Sequence, residues 1–136
     1  MEIKECSIDD VPLLAKMNQL FFEEEEPETN LSLPHLEERM KGYINSEYEA
    51  FFFVVDDKIV GYALCSKSKT PVYLRQFFIG RNDRRNGYGK QAFRLLIEHL
   101  GVPESNVDVY AWNDTAIRFW RSLGFEMRRF NLSYRM

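Results

Sequence analysis

From Ala50 onward the chain carries two runs of β-branched and aromatic residues, at 51–55 and 59–65, separated only by Asp56, Asp57 and Lys58. Runs of that composition around a short polar turn predict a β-hairpin, and the rest of the chain has to be arranged around it. Residues 2–6 read as a short strand. Ser7, with Asp10 three residues later, forms a capping-box start for a helix whose Leu13, Leu14, Met17, Leu20 and Phe21 share one face. Beyond a loop around 27–31, Ser32 can cap a second helix in which Leu36, Met40, Tyr43 and Ile44 repeat at helical spacing. Pro34 falls in its first turn, where proline is tolerated.

After the hairpin, Pro71 precedes a strand at 72–79. A polar loop then leads into a helix from about Gly87, with Tyr88, Ala92, Leu95, Leu96, His99 and Leu100 along one side and Gly101 and Pro103 to stop it. A further strand is predicted at 107–112. Asn113 or Asp114 caps a short helix carrying Ala116, Phe119, Trp120 and Leu123, Gly124 ends it, and 125–134 is expected to close as a strand. The order β-α-α-β-β-β-α-β-α-β predicts an α/β fold: a mixed sheet with helices on both faces.

A length of 136 residues suits one domain, and 45% apolar residues allow a core without metal or disulfide staples. Cys6 and Cys65 are far apart and in no C-x-x-C spacing, which argues for free thiols rather than a disulfide or zinc site. No stretch has the apolar length of a signal peptide or membrane span, so a cytoplasmic protein without membrane contact is expected. The net charge of -3 gives no global drive toward nucleic acid. Its distribution is uneven. Six basic residues against Asp83 alone occupy 75–94, while 23–28 holds five glutamates and no base. One pole suits an anion and the other a cation.

The basic pole centres on Arg84-Arg85-Asn86-Gly87-Tyr88-Gly89-Lys90, between a strand and an amphipathic helix. Glycines at a helix start allow close backbone approach, and the unpaired amides of a first turn point at the ligand. The arginines and the lysine add donors that suit phosphate oxygens. A P-loop does not fit, because Gly87 lacks the required spacing to a G-K-[ST]. A dinucleotide fingerprint is formally matched by Gly87, Gly89 and Ala92, with Asp108 further on. That motif follows its strand directly, however, whereas 80–86 intervene here, and too little chain remains for the other parallel units. A glycine-rich turn with solvated basic residues is the plain alternative.

These residues resemble the GNAT acetyltransferase family, whose acyl-CoA loop is written Q/R-x-x-G-x-G/A and is matched in full over 84–89, with the apolar Ile79 five positions earlier. A second family signature, N-x-x-A-x-x-F-Y-x-x-L-G-F, is met by Asn113, Ala116, Phe119, Leu123, Gly124 and Phe125. The resemblance implies a mostly antiparallel twisted sheet of six to seven strands and acetyl-CoA as co-substrate, with no metal. Phe77, Phe78 and Ile79 would lie along the pantetheine arm. The amides of Arg85, Asn86, Gly87, Tyr88, Gly89 and Lys90, with the Arg84 and Arg85 side chains, would hold the pyrophosphate. Asn113 and Phe119 would contact the cofactor from the next strand and helix. A homodimer through sheet edges is a further expectation by analogy.

Acetyl transfer to an amine needs a neutral nitrogen, stabilisation of a developing oxyanion and departure of a thiolate. At pH 7, deprotonating an alkylamine of pKa ~10.4 costs roughly 4 to 5 kcal/mol, against about 2 kcal/mol for a thiolate of pKa ~8.5, so the base matters more than the acid. Where the family usually has a tyrosine as acid, this chain has Trp120, whose indole N–H is not a usable acid. Trp120 either stabilises the sulfur or belongs to the core, and Tyr110, Tyr88 or a water could supply the proton. The glutamate base that some members carry on the strand before the loop is absent from 73–78. Glu24 and Glu25 are candidates for proton relay, and Glu23, Glu26, Arg75 and Gln76 for acceptor binding. Each is also readable as a solvated side chain. The leading expectation is an N-acetyltransferase for a small or amino-acid-like primary amine. The alternative is a non-catalytic acyl-CoA sensor or interaction module.

Overall fold

A computed structural model of the chain describes residues 1–67 and 70–136. The elements run β1 (Glu2–Glu5), α1 (Val11–Glu25), α2 (Leu33–Ile44), β2 (Tyr48–Val55), β3 (Lys58–Ser66), β4 (Val72–Ile79), α3 (Tyr88–Leu100), β5 (Ser105–Val107) and α4 (Asp114–Ser122). The five strands lie in chain order across one sheet, antiparallel from β1 to β4 and parallel between β4 and β5. Local chemistry accounts for most boundaries. Ser7 and Asp10 form the reciprocal capping box ahead of α1, and the Ser32 hydroxyl accepts the His35 amide at the start of α2. Asp56 and Asp57 both adopt positive φ in the tight β2–β3 turn, and Gly101 ends α3 in the left-handed conformation.

Two apolar clusters sit on opposite faces of the sheet. Phe51, Phe53, Ala63, Cys65, Val72 and Leu74 pack with Ala92 and Leu96 of α3 and Trp120 of α4. Ala50, Phe52, Tyr62, Leu64 and Phe78 pack with Val11, Leu14 and Met40 of α1 and α2. Alternate residues of β2 therefore serve alternate helix layers, which is why the hairpin reads as a nearly continuous apolar run. Gly61 allows β3 to lie close to β4: a Cβ there would stand 2.2 Å from the Phe78 carbonyl oxygen.

The expected six to seven strands reduce to five among the described residues. The strand expected at 107–112 is paired only over Ser105–Val107, because β5 leaves β4 after Leu74 and the following residues have no neighbour. The segment 125–134 forms no strand. Phe125 closes the cluster against Phe93 and Trp120, and beyond it Phe130, Leu132 and Tyr134 are 75 to 89% exposed, so the alternating apolar pattern finds no surface to cover. Among the described residues no helix is long and apolar enough to cross a membrane.

Candidate active site

β4 and β5 pair only from Val72 to Leu74, so the stretch from Arg75 to Ile79 has an open edge on the β5 side. The chain returns to this opening from both directions. The loop after β4 carries a 3-10 turn (Arg81–Asp83) and enters α3 through Gly87, whose φ of 74° places it in the left-handed region. No side chain caps Gly87. Among the described residues, the amides of Gly87, Tyr88, Gly89 and Lys90 have no acceptor in side chain or turn, and they lie at the positive end of α3. Phe119 of α4 lies against Gly89, where a Cβ would come within 2.9 Å of its ring.

The arginines of this loop differ. Arg84 Nε donates to the Ile79 carbonyl at 2.9 Å, and its Nη2 meets Glu24 at 2.5 Å, so the strand acceptor expected to face pantetheine is taken by the guanidinium. Arg81 also approaches Glu24, at 3.9 Å. Arg85 and Lys90 are exposed and carry no ion pair among the described residues.

The glutamate run divides by helical rotation. Glu23 and Glu24 border a cleft between α1 and the loop after β4, whereas Glu25 and Glu26 turn into a groove of about 1680 Å³ under the open edge of β4. There Glu25 receives the Asn113 amide on both oxygens, at 3.2 and 3.1 Å, and Glu26 accepts the Tyr110 hydroxyl. Burial raises the pKa of Glu25 above the ordinary carboxylate value, and the Asn113 bond only partly offsets this. The Asn113 oxygen accepts the Ala116 amide at 3.1 Å and caps α4, so both ends of the Asn113 side chain are engaged by protein.

Gln76 and Arg75 also line this groove. Gln76 is buried and accepts the Tyr62 hydroxyl at 2.8 Å, and Tyr62 in turn accepts from Asn18 of α1 at 3.1 Å. Arg75 is exposed and hydrogen-bonds to Tyr43 and Tyr48. Trp120 is 8% exposed and meets Phe77, Phe93, Phe119 and Phe125 edge-on, with centroids 4.9 to 5.9 Å apart, the surroundings of a core residue. Phe77 and Ile79 point into the same α3/α4 layer, and Phe78 into the opposite one.

Among the groove residues that sequence reasoning missed are Phe22 and Arg39. Arg39 and Tyr43 stand four apart on α2, a local pairing visible in the sequence, yet nothing local to α2 announces that it lies beside β4.

The family model for the acetyltransferase (GNAT) family matches residues 13–125. This chain belongs to the GNAT acetyltransferase family. The solved structures similar to it carry the same fold at low identity. A possible acetyltransferase from Clostridium difficile 630 superposes with a TM-score of 0.80 at 18% identity, covering 99% of this chain and 96% of that one. A tetramutant of the BH1408 protein from Bacillus halodurans gives 0.81 at 21% identity, with 100% of both chains covered. The aminoglycoside N-acetyltransferase AAC(6')-Iy, in complex with CoA, gives 0.74 at 16% identity over 99% of this chain and 93% of that one. No curated protein sequence matches the chain significantly.

Proposed function

We propose that this GNAT chain is a single-domain cytoplasmic N-acetyltransferase that moves an acetyl group from acetyl-CoA to a primary amine by direct attack in a ternary complex. The observation that carries the reading is the row of uncapped amides opening α3 beside the unpaired edge of β4. That edge ends in a groove whose other wall holds a carboxylate of raised pKa. The fit to the cofactor is specific. Free N–H groups at a helix start suit a pyrophosphate, and the groove beside Arg75 and Gln76 gives an acceptor access to the edge of β4.

When bound, acetyl-CoA supplies an acetyl thioester. The chain's own groups account for the rest. The amides of Gly87, Tyr88, Gly89 and Lys90 and the free Arg85 side chain bind the diphosphate, while Phe77, Phe78, Ile79, Asn113 and Phe119 flank the arm. Glu25, held by Asn113 at the groove wall, takes the ammonium proton of the acceptor. Its raised pKa brings it nearer to the amine's and makes the transfer less uphill. Glu26 fixes the Tyr110 hydroxyl, which returns a proton to the departing sulfur. Trp120 serves as packing under the arm rather than as the acid.

Mixing the protein with acetyl-CoA and a panel of primary amines, with thiol release as the readout, tests this. Turnover with at least one amine is expected. Tight CoA binding with no transfer even at pH 9, where more of the amine is neutral, would instead leave an acyl-CoA sensor.

A further inference from the structure

The α2 side of the acceptor groove carries two guanidinium groups and no acid to neutralise them. Arg39 Nη2 donates to Tyr43 Oη at 3.1 Å, and Arg75 Nε donates to the same oxygen at 2.9 Å. Aromatic faces hold both in place. The Arg39 guanidinium lies 5.4 Å from the Phe22 ring centroid, and that of Arg75 lies 4.9 Å from the Tyr43 centroid and 5.6 Å from that of Tyr48. Near the opposite cleft, by contrast, Arg81 and Arg84 share Glu24, and Lys58 has Asp83. Among the described residues Arg39 and Arg75 have no carboxylate within ion-pair distance, and Asp108, further along the groove, is held by the Tyr73 hydroxyl.

Two like charges on one oxygen repel each other, and an anion between them relieves the repulsion. The donors for it are present. Arg39 keeps Nε and Nη1 and Arg75 keeps Nη2 without a partner among the described residues, and the Tyr43 hydroxyl, whose oxygen already accepts two bonds, still has its own proton to give. Although burial opposes it, the bonds and charges of Arg39 and Arg75 lower the Tyr43 pKa below its ordinary value, as a concentrated positive field should. Phe22, under Arg39, is one helical turn from Glu26, which with Glu25 supplies the negative side of the same groove.

We propose that Arg39, Arg75 and Tyr43 bind a carboxylate carried by the amine acceptor, so that the substrates are amino acids or short peptides rather than polyamines or aminoglycosides. Two cations and two carboxylates lining one groove match a zwitterion, and a planar guanidinium fork matches a carboxylate. This inference rests on the reading of the groove as the acceptor site.

The test compares lysine and ornithine with their decarboxylated counterparts, cadaverine and putrescine, at saturating acetyl-CoA, in the wild type and in Arg39→Gln and Arg75→Gln. At least tenfold higher kcat/KM is expected for the amino acids, with that preference falling at least tenfold in either variant. Diamines acetylated as well as or better than amino acids, or a preference unmoved by both variants, would overturn the carboxylate site while leaving the acetyltransferase reading intact. Calorimetric binding of Nα-acetyl-lysine provides the converse. Binding that depends on both arginines, with no thiol released by any amine, would keep the carboxylate site and remove the transferase. Absence of both binding and turnover would overturn both. The wild-type comparison does not depend on how well either variant folds.

Discussion

Asn113 ties the end of α1 to the start of α4: its amide nitrogen lies 3.2 and 3.1 Å from the two oxygens of Glu25 while its oxygen takes the Ala116 amide at 3.1 Å. The capping bond fixes which end of the amide faces the carboxylate, so the donor is directed at Glu25 by the backbone of α4. Glu25 is thereby oriented without being neutralised by a cation, as a proton acceptor requires.

Glu25→Gln should lower kcat/KM by about 10²- to 10³-fold, within the usual range for loss of a general base. The wild type should show an acidic limb set by a carboxyl group above its ordinary pKa, and the variant should lose that limb. Stability moves the other way. A carboxyl whose folded pKa is raised contributes stability below its unfolded value of about 4.3, and loses it as the pH climbs through the folded value. The Tm of Glu25→Gln relative to wild type should therefore be higher at pH 8 than at pH 4, and thermal melts at the two pH values would read this.

Asn113→Ala removes the α4 cap and the Glu25 anchor together. The cap alone is worth about 1 kcal/mol, which urea denaturation should register. Activity should fall along with it, and Asn113→Asp, which keeps the cap but faces Glu25 with a second carboxylate, should recover stability more than rate.

Arg85→Ala should weaken CoA by about 1.5 to 3 kcal/mol, the range for hydrogen bonds to charged groups, with far less effect on pantetheine, which lacks the diphosphate. Arg84→Ala should cost CoA less than Arg85→Ala, because Arg84 already serves Ile79 and Glu24. Calorimetry with both ligands checks the order. Equal losses for CoA and pantetheine would remove the phosphate role.

Gly61→Ala sets a new Cβ 2.2 Å from the Phe78 carbonyl oxygen, which is backbone in a paired strand and cannot swing aside. A loss of about 2 to 4 kcal/mol in urea denaturation is expected. Gly89→Ala meets the Phe119 ring at 2.9 Å, a side chain able to turn, and should cost less.

Burial raises the thiols of both Cys6 and Cys65 to about 12, so neither supplies appreciable thiolate at pH 8. Iodoacetamide at that pH should leave the native protein largely unlabelled over minutes and modify both cysteines once denaturant is added, as mass spectrometry would show.

Much of this was legible along the chain. The hairpin at 50–65, the Ser7 and Ser32 caps, the Gly101 stop and the glycine turn into α3 are each governed by residues within a few positions of one another, so local pattern suffices. The family loop and the second signature are also contiguous. The last strand failed on a non-local requirement: alternation at 125–134 needs a neighbouring strand and an apolar surface, and the fold offers it neither.

The sequence by itself determined the elements up to α3, their order and the anion-suited turn, because backbone propensity, capping and periodicity act over short range. Only the tertiary structure decided which polar residues share the groove. In β4, Leu74 pairs with Cys65 and Gln76 with Leu64, leaving Arg75 as an unpaired bulge residue. Strict alternation would keep Gln76 on the α3/α4 face with Val72 and Leu74, but the extra residue reverses the alternation, carrying Gln76 to Tyr62 and Asn18 on the other face and leaving Arg75 against Tyr43. A register shift is a property of two strands together, and so are the meetings of Glu25 with Asn113 and of Arg39 with Arg75. No single stretch of chain encodes them.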